Sequence, residues 1–291
     1  MARLELSDGR LLAYDTYGDP AGRHVLYCHG FPTSHHEARL LEDAARRHGF
    51  SVVAPDRPGY GGSSPRAMAN VADWVDDAAA LLDELAWSRV VVIGVSGGGP
   101  YALACAARLP DRVAAVVLVG ALGPVSEVSL RGAMNPVARL GFWLTAKAPA
   151  LLTGVFGVVR RLLARWPRLL EWGLGLSAPP ADRRVLARAD VHGVLLDGAA
   201  DGLADGGGAA VAELARYARP WGFELAAVAR PVLLWHGTAD GVVPVGHARR
   251  LAAGLPEVVP HLLAGEGHFS VPVAYTDDIL EALAMVLDPK P

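Results

Sequence analysis

Val90-Val91-Val92-Ile93-Gly94-Val95-Ser96-Gly97-Gly98 is the stretch that decides the fold of this 291-residue chain. Its run of β-branched residues predicts a buried strand, and residues 101–109 behind it have a helical pattern. Between strand and helix, one serine has a glycine two positions before it and another two positions after it. This arrangement is typical of a nucleophile elbow, a sharp turn that lifts the serine hydroxyl above the edge of a sheet. Glycine is needed at both positions because a Cβ atom would clash in so tight a turn.

Similar apolar runs lie on both sides of this stretch. Strands are predicted at residues 11–17, 24–29, 51–55 and 113–119, and helices at residues 37–48 and 71–85. Buried strands that alternate with helices are typical of the α/β class, in which helices cover both faces of a parallel sheet. We therefore expect a doubly wound, mostly parallel sheet.

The pattern changes between residues 124 and 222, where helical stretches follow one another and no convincing strand occurs. Strand and helix signals alternate again from Pro231 onward. We therefore expect a core in two parts, residues 1–123 and 223–291, with residues 124–222 inserted as an all-helical cap. Such a cap would lie over the carboxyl edge of the sheet, where parallel sheets bind their ligands.

The composition excludes some classes of protein and disfavours others. Hydrophobic residues make up 52% of the chain and charged residues 20%, which excludes a disordered protein. The net charge of −3 argues against a nucleic-acid binder, and no apolar run reaches the ~18 residues of a membrane span. Cys28 and Cys105 do not look like a disulfide framework, and the strand pattern from Arg3 leaves no room for a signal segment. We therefore expect a cytoplasmic protein, and an oligomer is possible.

Two polar residues late in the chain are candidates for activating the serine. A serine hydroxyl is a poor nucleophile unless a base removes its proton and an acid orients that base. Asp240 follows one predicted strand and His268 follows the next. The order serine, aspartate, histidine is the one that elbow architectures use. We predict that Ser96, His268 and Asp240 act as nucleophile, base and acid at one edge of the sheet.

The negative charge that develops on an attacked carbonyl oxygen needs two backbone N–H groups. Gly97, which directly follows the serine, is expected to supply one of them. Phe31, in the loop His29-Gly30-Phe31-Pro32 after a predicted strand, is expected to supply the other.

These motifs together resemble the α/β-hydrolases with a helical cap, in the serine-nucleophile branch that includes esterases and lipases. The resemblance rests on the His29-Gly30-Phe31-Pro32 loop, residues 56–63, the elbow, Gly237-Thr238-Ala239-Asp240 and Gly267-His268. It covers the core, whereas the cap is a variable insertion in the family. Haloalkane dehalogenases and epoxide hydrolases of the family carry aspartate in the elbow, so Ser96 disfavours both reactions. Proline iminopeptidase relatives carry tryptophan where this chain has Gly97, which weakens that interpretation.

The resemblance and the residues together favour a serine hydrolase that cleaves a carboxylic ester, or a related acyl compound, with an apolar group. We expect no metal and no organic cofactor, since protein groups supply every role. Five aromatic side chains are candidates for binding a small-molecule substrate: Tyr60, Phe142, Trp143, Phe156 and Trp221. An acyltransferase, a cyclase or a carbon–carbon bond hydrolase could use the same triad, and so could an enzyme of peroxide-dependent oxidation. A ligand-binding protein without turnover is the alternative from another class.

Several of these residues also have a purely structural interpretation. Ser96 could be an ordinary turn serine, and Asp240 could be a turn former or a helix N-cap. Tyr60 could line the mouth of the site or belong to a tight structural turn. The adjacent histidines His35 and His36 could suggest a metal site, but neighbouring side chains point in different directions, and none is expected.

Overall fold

The protein is described here by a computed structural model that covers residues 1–175 and 178–288. Within those residues, eight strands form one sheet in the order β1-β2-β4-β3-β5-β6-β7-β8. They are β1 Ala2–Glu5, β2 Leu11–Gly18, β3 Arg23–Cys28, β4 Phe50–Pro55, β5 Val90–Val95, β6 Val113–Val119, β7 Val232–Gly237 and β8 Val258–Leu263. The strands β3 to β8 run parallel, and β1 and β2 continue the sheet as an antiparallel edge. The predicted fold class is confirmed.

The same range contains thirteen α-helices. They are α1 Glu42–Arg47, α2 Trp74–Glu84, α3 Gly99–Arg108, α4 Val128–Ala133, α5 Pro136–Lys147, α6 Pro149–Arg165, α7 Arg168–Gly175, α8 Pro180–Leu186, α9 Ala189–Gly202, α10 Gly208–Tyr217, α11 Gly246–Gly254, α12 Ser270–Ala274 and α13 Thr276–Leu287. Among them, none combines the length and the apolar character that crossing a membrane requires.

Two hydrophobic layers, one on each face of the sheet, follow from the alternation of side chains along the strands. In β5, Val90 and Val92 belong to the layer that includes residues of α2 and α3. Val91 and Ile93 point to the opposite layer, which includes residues of α1 and α13. Because both faces are covered, β5 is apolar along nearly its whole length and shows no polar alternation.

The stretch 124–222, called the helical segment below, leaves the core after β6 and returns before β7. It contains α4 to α10, and no strand occurs in its described residues. Two of its helices pack on core elements that follow strands: α9 on the 3₁₀ helix His35–Leu41 after β3, and α8 on α12 after β8. The segment therefore touches the loops at the carboxyl ends of the parallel strands.

Candidate active site

Ser96 stands at the sharp turn between β5 and α3 with a φ angle of +52°, in the left-handed region that few non-glycine residues adopt. The glycines around it have no space for a side chain. A Cβ on Gly94 would lie 2.8 Å from the Gly98 carbonyl oxygen, as the elbow pattern predicts. A Cβ on Gly98 would collide with the Cys28 carbonyl group of the neighbouring strand. The second glycine is thus required by the sheet as well as by the turn.

Asp240 and His268 lie in the loops after β7 and β8, and both reach Ser96 through a chain of hydrogen bonds. The Asp240 Oδ2 atom is 2.8 Å from His268 Nδ1, and His268 Nε2 is 3.1 Å from Ser96 Oγ. All three side chains are at least nine-tenths buried. The structure therefore brings together the three residues that the sequence places far apart.

The charges of the pair Asp240–His268 support each other. Burial by itself raises the pKa of the Asp240 carboxyl, but the His268 imidazole and the other groups around the carboxylate together bring that pKa below its ordinary value. Burial by itself lowers the pKa of His268, but Asp240 and the other carboxyl groups nearby together raise it. The second carboxylate oxygen accepts the backbone N–H groups of Val242 and Val243, each at 2.8 Å. Asp240 is therefore held in place and kept ionised beside the imidazole.

Two residues behind this pair were not predicted from the sequence. A Cβ on Gly120 would lie 3.3 Å from His268 Nδ1, so the Gly120 backbone packs directly against the imidazole. The Nε2 atom of His236 donates to the Val243 carbonyl at 2.8 Å and lies 3.6 Å from Asp240 Oδ2. Burial lowers the pKa of His236, which favours its neutral form.

The loop with Phe31 lies against the elbow. A Cβ on Gly97 would be 2.9 Å from the Phe31 Cβ atom, and one on Gly30 would be 3.4 Å from the Ser96 Cβ atom. The Gly30 N–H donates to Glu37 at 2.6 Å, and the Arg57 guanidinium donates to the Gly30 carbonyl at 3.0 Å. The two backbone groups predicted to bind an oxyanion therefore belong to adjacent, firmly held segments.

Arg57 is itself part of a buried ion pair between the core and the helical segment. Its Nε atom is 2.7 Å from Oε1 of Glu213 in α10, and both side chains are almost fully buried. Tyr60 is 1% exposed and its hydroxyl donates to Glu213 at 2.6 Å. The structure therefore places Tyr60 in this interior network, which corresponds to its structural interpretation and not to a position at the mouth of the site.

The four aromatic residues proposed for substrate binding in the helical segment lie in different surroundings. The Phe156 ring packs edge-on against Phe31, with 6.3 Å between ring centroids. Phe142 is buried in the hydrophobic layer that includes residues of α2 and α3, and Trp143 is 57% exposed beside a surface groove. Trp221 is buried against Phe223, and its backbone carbonyl accepts a hydrogen bond from the N–H of Ala72, just before α2. Of the four, Phe156 is the one in contact with the loop beside Ser96.

Three more side chains contact the catalytic loops and carry no motif that would have revealed them. Asp182 in α8 accepts the backbone N–H of His268 at 2.9 Å. Tyr217 in α10 donates its hydroxyl to the Gly97 carbonyl at 2.9 Å. Glu37 is buried next to Gly30, and burial raises the pKa of its carboxyl to about 7.

A small cavity lies beside His268. It has a volume of about 30 Å³ and is lined by Glu37, Leu195, His268 and Phe269 together with neighbouring apolar residues. Leu195 comes from α9, so the cavity lies between the core and the helical segment. The surface groove beside Trp143 is larger, about 630 Å³, but none of its lining residues belongs to the triad or to the Phe31 loop. We therefore take the small cavity, and not the groove, as part of the site.

One group of possible metal ligands occurs within residues 1–175 and 178–288, formed by His35, His36 and Asp201, whose ligand atoms lie within 4.8 Å of one another. His35 Nδ1 is 2.9 Å from the buried carboxylate of Asp56, and His36 Nε2 is 3.2 Å from Asp201. Each histidine thus has a carboxylate partner in the protein.

Comparison with known proteins shows which protein families this chain resembles. A family model described as the alpha/beta hydrolase fold matches residues 23–153. The chain is 38% identical over 99 residues to a protein named epoxide hydrolase from Caballeronia sordidicola, a match that covers 33% of this chain and 30% of that protein. It is 36% identical over 127 residues to a non-heme chloroperoxidase from Streptomyces lividans, covering 43% of this chain and 46% of that protein. The matched region therefore spans less than half the length of either relative.

Among solved structures, that of a bromoperoxidase from Bacillus anthracis is similar over nearly the whole chain. The TM-score is 0.73 at 21% sequence identity, and the alignment covers 98% of this chain and 99% of that chain. At this identity the likeness shows a shared fold. It includes the helical segment as well as the sheet.

Proposed function

We propose that the chain is a member of the α/β-hydrolase fold family and a serine hydrolase that cleaves a carboxylic ester with an apolar group through an acyl-enzyme. The observation that carries this proposal is the continuous hydrogen-bonded chain from Asp240 through His268 to Ser96, with distances of 2.8 and 3.1 Å. This is the arrangement that activates a serine hydroxyl as a nucleophile.

In the proposed mechanism, Ser96 Oγ attacks the ester carbonyl while His268 Nε2 takes the hydroxyl proton. Asp240 holds the imidazole in the tautomer with its proton on Nδ1 and stabilises the imidazolium that forms. His268 then gives the proton to the leaving alcohol, and an acyl-enzyme remains. A water molecule, deprotonated by the same imidazole, cleaves the acyl-enzyme and restores Ser96.

The backbone N–H groups of Phe31 and Gly97 are proposed to bind the oxyanion of the tetrahedral intermediates. The carbonyl group of each of these two peptide bonds accepts a hydrogen bond. Arg57 donates to the Gly30 carbonyl at 3.0 Å, and the Leu122 N–H donates to the Ser96 carbonyl at 2.9 Å. A hydrogen bond on the carbonyl polarises the peptide and strengthens its N–H as a donor. Arg57 brings a full positive charge to the peptide bond between Gly30 and Phe31.

An apolar substrate group is favoured by the rings that border the Phe31 loop. Phe31 packs edge-on against Phe156, and its other aromatic neighbour is Tyr217 at 6.2 Å between ring centroids. Epoxide hydrolysis is less favoured, despite the similarity to a protein of that name, because the elbow carries Ser96 in place of aspartate. No step of the proposed reaction needs a metal or an organic cofactor.

Transfer of the acyl group to hydrogen peroxide is a second candidate, favoured by the similarity to a non-heme chloroperoxidase. In this reaction hydrogen peroxide replaces water as the acceptor of the acyl group. The products are a peracid and free Ser96, so no external oxidant other than the peroxide is needed. The first half of the mechanism is unchanged.

Labelling with a fluorophosphonate probe tests the proposal. We expect one phosphonyl adduct on Ser96, located by peptide mass spectrometry, and hydrolysis of p-nitrophenyl esters from short to long acyl chains. Ser96→Ala is the control and should show neither. A folded wild-type protein that neither reacts with the probe nor cleaves any ester would contradict the proposal. Peracid formation from an ester and hydrogen peroxide distinguishes the second candidate.

A further inference from the structure

We propose that Asp182, in helix α8 of the helical segment, is a positioning residue for His268, the base of the proposed reaction. This inference rests on the proposed function, since it assigns a role in the same site. It adds that the helical segment takes part in holding the catalytic base.

The carboxylate of Asp182 accepts three consecutive backbone N–H groups. Its Oδ2 atom accepts from His268 at 2.9 Å, and its Oδ1 atom accepts from Phe269 at 3.0 Å and Ser270 at 2.8 Å. One side chain therefore fixes the backbone on which the catalytic imidazole is mounted. Because the imidazole must meet both Asp240 and Ser96, a small rotation of this backbone would break one of the two contacts.

The surroundings show that the contact is tightly packed. Asp182 is 2% exposed, although a buried carboxylate is costly unless it is well bonded. Within the described part of the chain it forms no ion pair with a lysine, arginine or histidine, so backbone N–H groups are its partners. A Cβ atom on Gly267 would collide with the carboxylate. The loop Gly267-His268 is thus shaped to receive this side chain.

The charge of Asp182 also acts on the imidazole. Burial opposes the imidazolium, and the carboxyl groups that face His268 favour it when they are ionised: Asp240, Asp182 and Glu37. His236 lies behind Asp240, and burial favours its neutral form, so it does not offset these carboxylates. Asp182 therefore has two effects, one on the orientation of the base and one on its proton affinity. Loss of the charge should lower the pKa of His268.

The test compares the pH profiles of ester hydrolysis for Asp182→Asn and the wild type. We expect kcat to fall by about 10- to 100-fold, the range for residues that orient metal-binding histidines through hydrogen bonds. KM should change little, and the acid limb of kcat/KM should move to lower pH. A side chain with a merely structural role would lower the melting temperature and leave that limb in place. Wild-type kcat and an unmoved acid limb in the folded variant would overturn the proposal.

Two further variants complete the experiment. Asp190→Asn, which removes an exposed carboxylate in α9 of the same segment, is the matched control and should behave as wild type. Asp182→Glu keeps the charge but displaces it, and it decides the question if Asp182→Asn fails to fold. Its kcat should fall while the acid limb stays near its wild-type position, and an unchanged kcat would overturn the proposal. Fluorophosphonate labelling of wild-type Ser96 tests the proposed function separately, because it does not depend on Asp182.

Discussion

At the scale of the residue, Ser96 carries the proposed chemistry and is the first position to test. Ser96→Ala should lower turnover by on the order of 10³- to 10⁶-fold, the range for removing a triad nucleophile. The left-handed backbone at φ +52° is strained for alanine as it is for serine. The melting temperature should therefore change little, which separates loss of chemistry from loss of folding. More than a tenth of wild-type activity in the variant would refute the mechanism.

Glu37 gives a second prediction at the same scale, on stability and pH. Burial raises the pKa of its carboxyl from 4.5 to about 7, so folding favours the neutral form. Its contribution to stability is present below pH 4.5 and is lost as the pH rises through 7. Glu37→Gln stays neutral at every pH. Relative to wild type, its unfolding free energy should rise by about 2 kcal/mol between pH 5 and pH 8. Urea unfolding at the two pH values measures this difference, and a difference that falls would contradict the prediction.

At the scale of the element, helix α6 brings Phe156 to the Phe31 loop. Phe156→Ala should weaken the discrimination between short and medium acyl chains by about 1–3 kcal/mol if the ring contacts the substrate. Trp143→Ala, in the neighbouring helix α5, is the control, because its ring is 57% exposed and lies on the outer groove. Chain-length preference and melting temperature are measured on both variants. A Phe156→Ala protein that loses stability but keeps its preference would show that the ring only packs inside the helical segment.

At the scale of the whole molecule, the helical segment and the core are joined by the buried pair Arg57–Glu213. Glu213→Gln leaves the guanidinium buried without its counter-charge and should cost about 3–5 kcal/mol of stability. Asp197→Asn breaks an exposed pair with Arg39 that also joins the two parts, and it should cost less than about 1 kcal/mol. Urea unfolding followed by circular dichroism and by tryptophan fluorescence measures both. Equal losses in the two variants would contradict the view that the buried pair joins segment and core.

The sequence by itself determined the α/β fold class and the five motifs that meet at the sheet edge. These signals are local: side chains alternate along β5, and the elbow needs glycine within two positions of Ser96. Only the tertiary structure decided which polar side chains support the site. Asp182 is separated from His268 by 86 positions, and Glu213 is separated from Arg57 by 156 positions. Such contacts leave no pattern in the nearby sequence, because they form only when helices of the variable segment pack on the core loops. For the same reason, the sequence names the aromatic residues of that segment but not their surroundings. Whether each ring is buried, exposed or beside Phe31 depends on how the segment folds.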